Sequence, residues 1–298
     1  MEQAAVTTPV STRLTPFALV RALRPDEWVK NTFVYAALLF GGQFDFDSAL
    51  KATGAFVAFC AVASAGYLVN DIRDVELDRR HPTKRLRAIA SGALPNATAR
   101  VVAGLLALGG LGVALLVSPA VCALVAAYGA LTVSYSIVLK KLVIIDVMTI
   151  AGCFLLRVLT GAVAVGVVAS PWLLVCTGMV SLFLGFTKRR QEAVLEQNAQ
   201  FGARPVLEHY TLPFLDQMVS MVSAGTVLSY TIYATQSPLA GDQMLWTVPM
   251  VVYGVFRYLY LIYHREDGSS TANLVTSDPG IIGAAVAWVV AAALVVYL

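Results

Sequence analysis

Residues 70–87 read NDIRDVELDRRHPTKRLR, and this stretch decides how the rest of the chain is read. It follows a long apolar run and holds the densest charge in an otherwise oily sequence. Asn70, Asp74 and Asp78 recur every fourth residue, so on a helix they share one face, with Asp71 beside them. Like charges at that spacing repel. A divalent cation relieves the repulsion, and an oxygen-only ligand set suits magnesium shared with the phosphates of a substrate. The competing reading is a solvated helix end whose charges merely mark a membrane surface. The bases that follow, Arg79, Arg80, His81, Lys84, Arg85 and Arg87, weigh against it. Acids for a metal beside bases for phosphate oxygens make a diphosphate-handling site.

Around this stretch the chain is apolar. Of 298 residues 58% are hydrophobic and only 13% charged, where soluble domains carry roughly a quarter. Apolar windows near the ~20 residues a helix needs to cross a bilayer fall at 31–43, 50–71, 98–117, 119–138, 143–168, 171–187, 214–235, 245–263 and 280–298. The expectation is therefore an all-α, polytopic integral membrane protein with about nine transmembrane helices. Residues 1–16 read as a flexible N-terminus without the apolar core of a secretory signal, and 17–298 as one transmembrane domain. Residues 17–30 mix Arg21, Arg24 and Lys30 with Leu19, Leu23 and Trp28, as an amphipathic segment in the headgroup region does. The four cysteines all lie in apolar runs without CxxC spacing, which suggests neither a disulfide framework nor a zinc site.

Orientation follows from the bases. Of the 21 Lys and Arg residues, all but Lys51, Arg157 and Arg257 fall at the N-terminus or at the connections after spans two, four, six and eight. The positive-inside rule places those connections, and the acidic stretch with them, in the cytoplasm. Bases on a membrane face also make nucleic acid an unsuitable partner.

Four further clusters lie on that expected face. Lys30 and Asn31 end the first, Arg24 to Asn31. Tyr135 and Lys140 close span four. Asp146 and Arg157 lie in span five, too far apart to touch at ~1.5 Å per residue. Each needs a partner on another helix, because a charge at such depth costs several kcal/mol, or about 3 on insertion scales, unless paired or hydrated. Lys188, Arg189 and Glu192 end span six; their bases suit phosphate oxygens, although Lys188 and Glu192 could equally form a helix-surface ion pair.

On these residues the chain resembles the UbiA-type membrane prenyltransferase superfamily, in particular its branch of decaprenyl-phosphate phosphoribosyltransferases. The resemblance rests on RPDEWVKN at 24–31, YLVNDIRDVELDRRHPTKRLR at 67–87, YSIVLK at 135–140 and LRVLTGAVA at 156–164. It implies a UbiA-like bundle with a polar cavity facing the cytoplasm of a cell membrane. It also implies Mg²⁺ held by Asn70, Asp74 and Asp78, with Asp71, Asp74 and Asp78 as candidate catalytic acids. Lys30, Asn31, Lys84, Arg85, Tyr135, Lys140, Asp146, Arg157, Lys188, Arg189 and Glu192 are the candidate substrate contacts. In ordinary prenyltransferases of this kind a second aspartate pair follows span six; here Lys188 and Glu192 stand in its place, as in the phosphoribosyl branch. The activity implied is transfer of a phosphoribosyl group from phosphoribosyl pyrophosphate to a polyprenyl phosphate, for cell-envelope polysaccharide precursors. The rivals are prenyl transfer from a prenyl diphosphate to a small aromatic acceptor, and an anion transporter. A homo-oligomer is compatible with the sequence.

Overall fold

The apolar run ahead of the charged stretch folds as one 28-residue helix, α3 (Phe46–Arg73), started by Asp45, whose carboxylate accepts from the Ser48 N–H at 3.0 Å. In the computed structural model, which describes residues 16–40, 45–80, 83–199, 205–236, 241–264 and 277–297, every regular element is a helix. Before α3 come α1 (Pro16–Leu23), a 3-10 helix (Pro25–Tyr35) and α2 (Ala36–Phe40). After it come α4 (Val75–Arg80), α5 (Asn96–Val117), α6 (Pro119–Ile137), α7 (Ile145–Val165) and α8 (Pro171–Ala199). The chain ends with α9 (Leu212–Thr235), α10 (Val248–His264) and α11 (Pro279–Tyr297). The first 15 residues, His81 and most of the 264–278 connection lie outside the described residues.

Among the described residues, seven helical stretches are long and apolar enough to cross a membrane. Two of the nine expected spans account for the difference. The described part of the first, residues 31–40, is not one helix. The 3-10 helix has 11 residues and α2 has 5, a path of about 30 Å at ~2.0 and ~1.5 Å per residue. The other, 214–235, is matched by α9, whose 24 residues suffice in length. Asp216, Ser220, Ser223, Thr226, Ser229 and Thr231 make it less apolar than its neighbours. Those hydroxyls bond back to carbonyls three or four residues earlier, which removes most of the cost of placing them among apolar groups.

Helix α7 is the hub, packing on α3, α6, α8, α2 and the 3-10 helix. On one side Val34, Phe59, Val121, Val125 and Tyr128 form an apolar core; on the other Val147, Phe183, Leu215, Val219 and Tyr258 do. Outer faces such as Leu105, Leu108 and Leu116 of α5, and Val286, Val289 and Val290 of α11, are exposed and suit contact with lipid tails. The hub packs tightly because Gly161 lets α7 meet backbone: an added Cβ would run into the Val34 carbonyl. Gly161→Ala is therefore expected to cost roughly 1–3 kcal/mol of stability through overpacking, read as a lowered Tm in detergent. Gly178→Ala, which meets nothing within 4 Å, should not lower it.

Candidate functional site

Helix α3 delivers the acidic stretch at one end of the bundle. Helical bonds continue through it, from Asp74 N to Asn70 O at 2.9 Å and from Asp78 N to Asp74 O at 2.8 Å. The helix nonetheless breaks at Asp74 (φ −90°, ψ 5°), and α4 starts at Val75. The three acids stay on one stripe but meet different bases. Asp71, 4% exposed, accepts from Arg24 at 2.7 and 3.0 Å and from Arg87 at 3.2 Å. The same Arg87 nitrogen reaches Asp78 at 2.7 Å. Asp74 accepts from Lys140 through both oxygens, at 3.0 and 2.9 Å.

Arg24 and Arg87 stand in the sequence only as members of charged clusters, not among the candidate contacts. Arg87 turns inward, whereas Arg85, two residues earlier, is exposed. Arg24 has φ 53° and ψ 63°, a conformation costing about 1–3 kcal/mol for a non-glycine residue. It is held there by its paired bonds to Asp71 and by its guanidinium 5.0 Å above the Tyr67 ring. The Arg-Pro pair gives a partial signal: the residue before proline disfavours α-helix, in keeping with α1 ending at Leu23, but not the left-handed conformation that Arg24 adopts.

A second group of charged and polar side chains comes from α6, α7, α8 and Tyr210, the residue after the 3-10 helix Pro205–His209. Asp146 is fully buried and Arg189 is 1% exposed; they pair at 2.5 Å. Arg189 also donates to Glu192 at 2.5 Å and to the Tyr135 hydroxyl at 3.1 Å. The second oxygen of Asp146 accepts from Tyr210 at 2.8 Å. Lys188, the residue before Arg189 on α8, faces the 25–35 helix: it acts on Glu27, which bonds Lys30 and accepts from Tyr67 at 3.3 Å. Burial pushes the Glu27 carboxyl up, but Lys30, with Lys188 and Arg24 adding to it, holds it below its usual range.

Arg157 stands apart from both groups. It is 4% exposed and donates to Asn31 Oδ1 at 2.8 Å, the Cys153 carbonyl at 2.9 Å and the Tyr128 hydroxyl at 3.0 Å. The rings of Tyr128, Phe154 and Phe59 surround it at 4.8, 5.1 and 5.7 Å. Asn31, 1% exposed, also donates to Cys60 at 3.2 Å. Arg157 and Asn31 thus complete each other inside the bundle, while Asp146 and Arg189 do so at its end.

The arrangement sets buried acids against lysines and arginines that reach them from four other segments. Among the described residues no three His, Cys, Asp or Glu side chains form a metal cluster. Asp71 and Asp78 do converge on one cationic nitrogen, that of Arg87. Two carboxylates close enough to share one cation are hard oxygen donors of the kind a divalent ion takes, with phosphate oxygens and water completing its shell.

Comparison with known proteins follows the same outline. The chain is 35% identical over 290 residues to the decaprenyl-phosphate phosphoribosyltransferase of Corynebacterium glutamicum, a match covering 94% of this chain and 87% of that one. With the enzyme of the same name from Mycolicibacterium smegmatis it shares 37% over 231 residues, 76% of this chain and 73% of the other. In fold it is similar to a UbiA homologue from Archaeoglobus fulgidus bound to GPP and Mg²⁺, with a TM-score of 0.73 and 16% identity over 94% of this chain and all of that one. Residues 31–277 match the UbiA prenyltransferase family, and the site described above falls within or just before that range. The chain therefore belongs to this family and is one of its multi-pass membrane enzymes.

Proposed function

We propose that this enzyme moves a phosphoribosyl group from phosphoribosyl pyrophosphate to a decaprenyl-type polyprenyl phosphate and releases pyrophosphate. The observation that carries the reading is the charge at the end of α8. That end presents Lys188, with Arg189 and Glu192 locked behind it, where two-metal handling of a prenyl diphosphate would need a second pair of carboxylates. The relatives that match most of the chain carry the name of this activity, which supports the same choice.

In the reaction, the bond from the ribose anomeric carbon to pyrophosphate breaks and its electron pair leaves with pyrophosphate. A lipid phosphate oxygen forms the new bond. That oxygen is already anionic near neutral pH, so the chain needs no strong general base. Asp74 and Asp78, with Asn70 and Asp71 beside them, would hold Mg²⁺. When bound, the ion supplies Lewis-acid neutralisation of the leaving group. Lys30, Lys84, Lys140 and Lys188 would contact phosphate oxygens as compact charges. Release of Lys140 from Asp74 and of Arg87 from Asp78 would free two bases for the same task. The site end faces the cytoplasm, where a soluble sugar phosphate is available, and the lipid tail lies in a groove between helices of the plasma membrane. The product enters cell-envelope polysaccharide synthesis.

Labelled phosphoribosyl pyrophosphate, a series of polyprenyl phosphates and a prenyl diphosphate tested in parallel decide the matter. Lys188→Ala should raise the donor KM about tenfold while leaving lipid affinity close to wild type, and Lys188→Asp should be worse. A wild-type enzyme that consumes a prenyl diphosphate and ignores phosphoribosyl pyrophosphate would sink this assignment.

A further inference from the structure

The connection between α6 and α7 contains a strained backbone. Ile144 has φ 69° and ψ −46°, and the N–H of Ile145 bonds back to the Val143 carbonyl at 2.8 Å. Together these make a γ-turn with positive φ at its centre, a rare and strained turn, here with a β-branched residue in the central position. Strain of this kind persists only where the surroundings over-determine it. What does so is a side chain 66 residues away: the Tyr210 hydroxyl accepts the Ile144 N–H at 2.6 Å and donates to Asp146 at 2.8 Å.

One phenol therefore holds both ends of the start of α7. Asp146, fixed by it, is the partner of Arg189 at 2.5 Å, and Arg189 in turn holds Glu192 and Tyr135. Lys188 precedes Arg189 on the same helical turn, so its position depends on how Arg189 is anchored. Tyr210 is buried and lies between the 3-10 helix Pro205–His209 and α9.

We infer that Tyr210 is a positioning residue: it stabilises the strained turn at Ile144 and, through Asp146 and Arg189, sets the place of Lys188 against the donor phosphates. The inference rests on the proposed phosphoribosyl transfer for its kinetic consequence, but not for its structural one. Without the hydroxyl, the Ile144 amide loses its acceptor and the turn relaxes to negative φ, carrying Asp146 with it. Glycine at 144 adopts positive φ at no steric cost and keeps the turn without the phenol.

The test is a double-variant cycle in nanodiscs. Tyr210→Phe should speed hydrogen exchange at the Ile144 amide by about tenfold or more, and raise the donor KM about tenfold with kcat within about twofold of wild type. Measured in an Ile144→Gly background, the KM penalty of Tyr210→Phe should shrink to below about threefold. A general loss of folding would lower the amount of active enzyme, and so the apparent kcat, without moving KM or being rescued by glycine. Unchanged exchange at Ile144, or a KM penalty that persists in the glycine background, overturns the inference. If wild type turns over no phosphoribosyl pyrophosphate, the functional reading fails, and exchange at Ile144 still decides whether Tyr210 holds the turn.

Discussion

Asp74→Asn and Asp78→Asn are each expected to give a folded protein whose turnover is at least ~10²-fold lower, a loss of about 2.7 kcal/mol of transition-state stabilisation. The expected stability cost is small, for reasons specific to each acid. Asp74 and its partner Lys140 have side chains 24% and 21% exposed, and partly solvated pairs of this kind contribute at most about 1 kcal/mol. Asp78 is more buried, but its base Arg87 also holds Asp71, so Arg87 keeps a carboxylate after the change. Asparagine keeps the shape and one acceptor oxygen. Activity and stability should therefore part company, which a collapsed site would not produce. An excess of chelator should abolish wild-type turnover in the same way without lowering Tm by more than a few degrees. Full turnover in chelator would remove the metal from this account.

How much of this could be read from the sequence depended on whether a residue's partner was near it in the chain. The apolar runs of α3, α5, α6, α7 and α11 were legible because a helix that faces lipid needs the same ~20 apolar residues whatever it packs against. The first expected span was not, because Pro25 opens a 3-10 helix in which 11 residues rise further than the same number in an α-helix. The acids of 70–78 stood out by spacing, and Asp146 could be said to need a partner. That the partner is Arg189, 43 positions on, follows only from the way α7 and α8 pack. Arg87 lay inside the stretch that drew attention, but spacing could not say that it, and not Arg85, turns inward. Tyr210 gave no signal at all: an aromatic residue in a polar connection is ordinary until the strained turn it supports is seen.

Arg157 yields the second large effect, and it concerns the fold. Its hydrogen-bond partners, Asn31, the Cys153 carbonyl and Tyr128, are all neutral; part of the cost of burying its charge is offset by the faces of three aromatic rings. Arg157→Ala is expected to cost about 3 kcal/mol or more, because it opens a cavity and leaves Asn31 Oδ1 and the Tyr128 hydroxyl without their donor. Arg157→Lys should recover only part of this. A single ammonium cannot serve acceptors on the 3-10 helix, α6 and α7 at once, and it stacks less well on the rings. Arg157→Met should destabilise less than alanine, since it keeps most of the volume and removes the buried charge. The measurement is the Tm and the monodisperse yield of the three variants in one detergent. The sequence alone placed Arg157 among the substrate contacts, and the same series decides between the two roles. If Arg157→Ala is as stable as wild type but inactive, the guanidinium serves substrate. If it is unstable in the order alanine, lysine, methionine, the residue ties the 3-10 helix to α6 and α7, and any loss of activity follows from Lys30, one position before Asn31, losing its place.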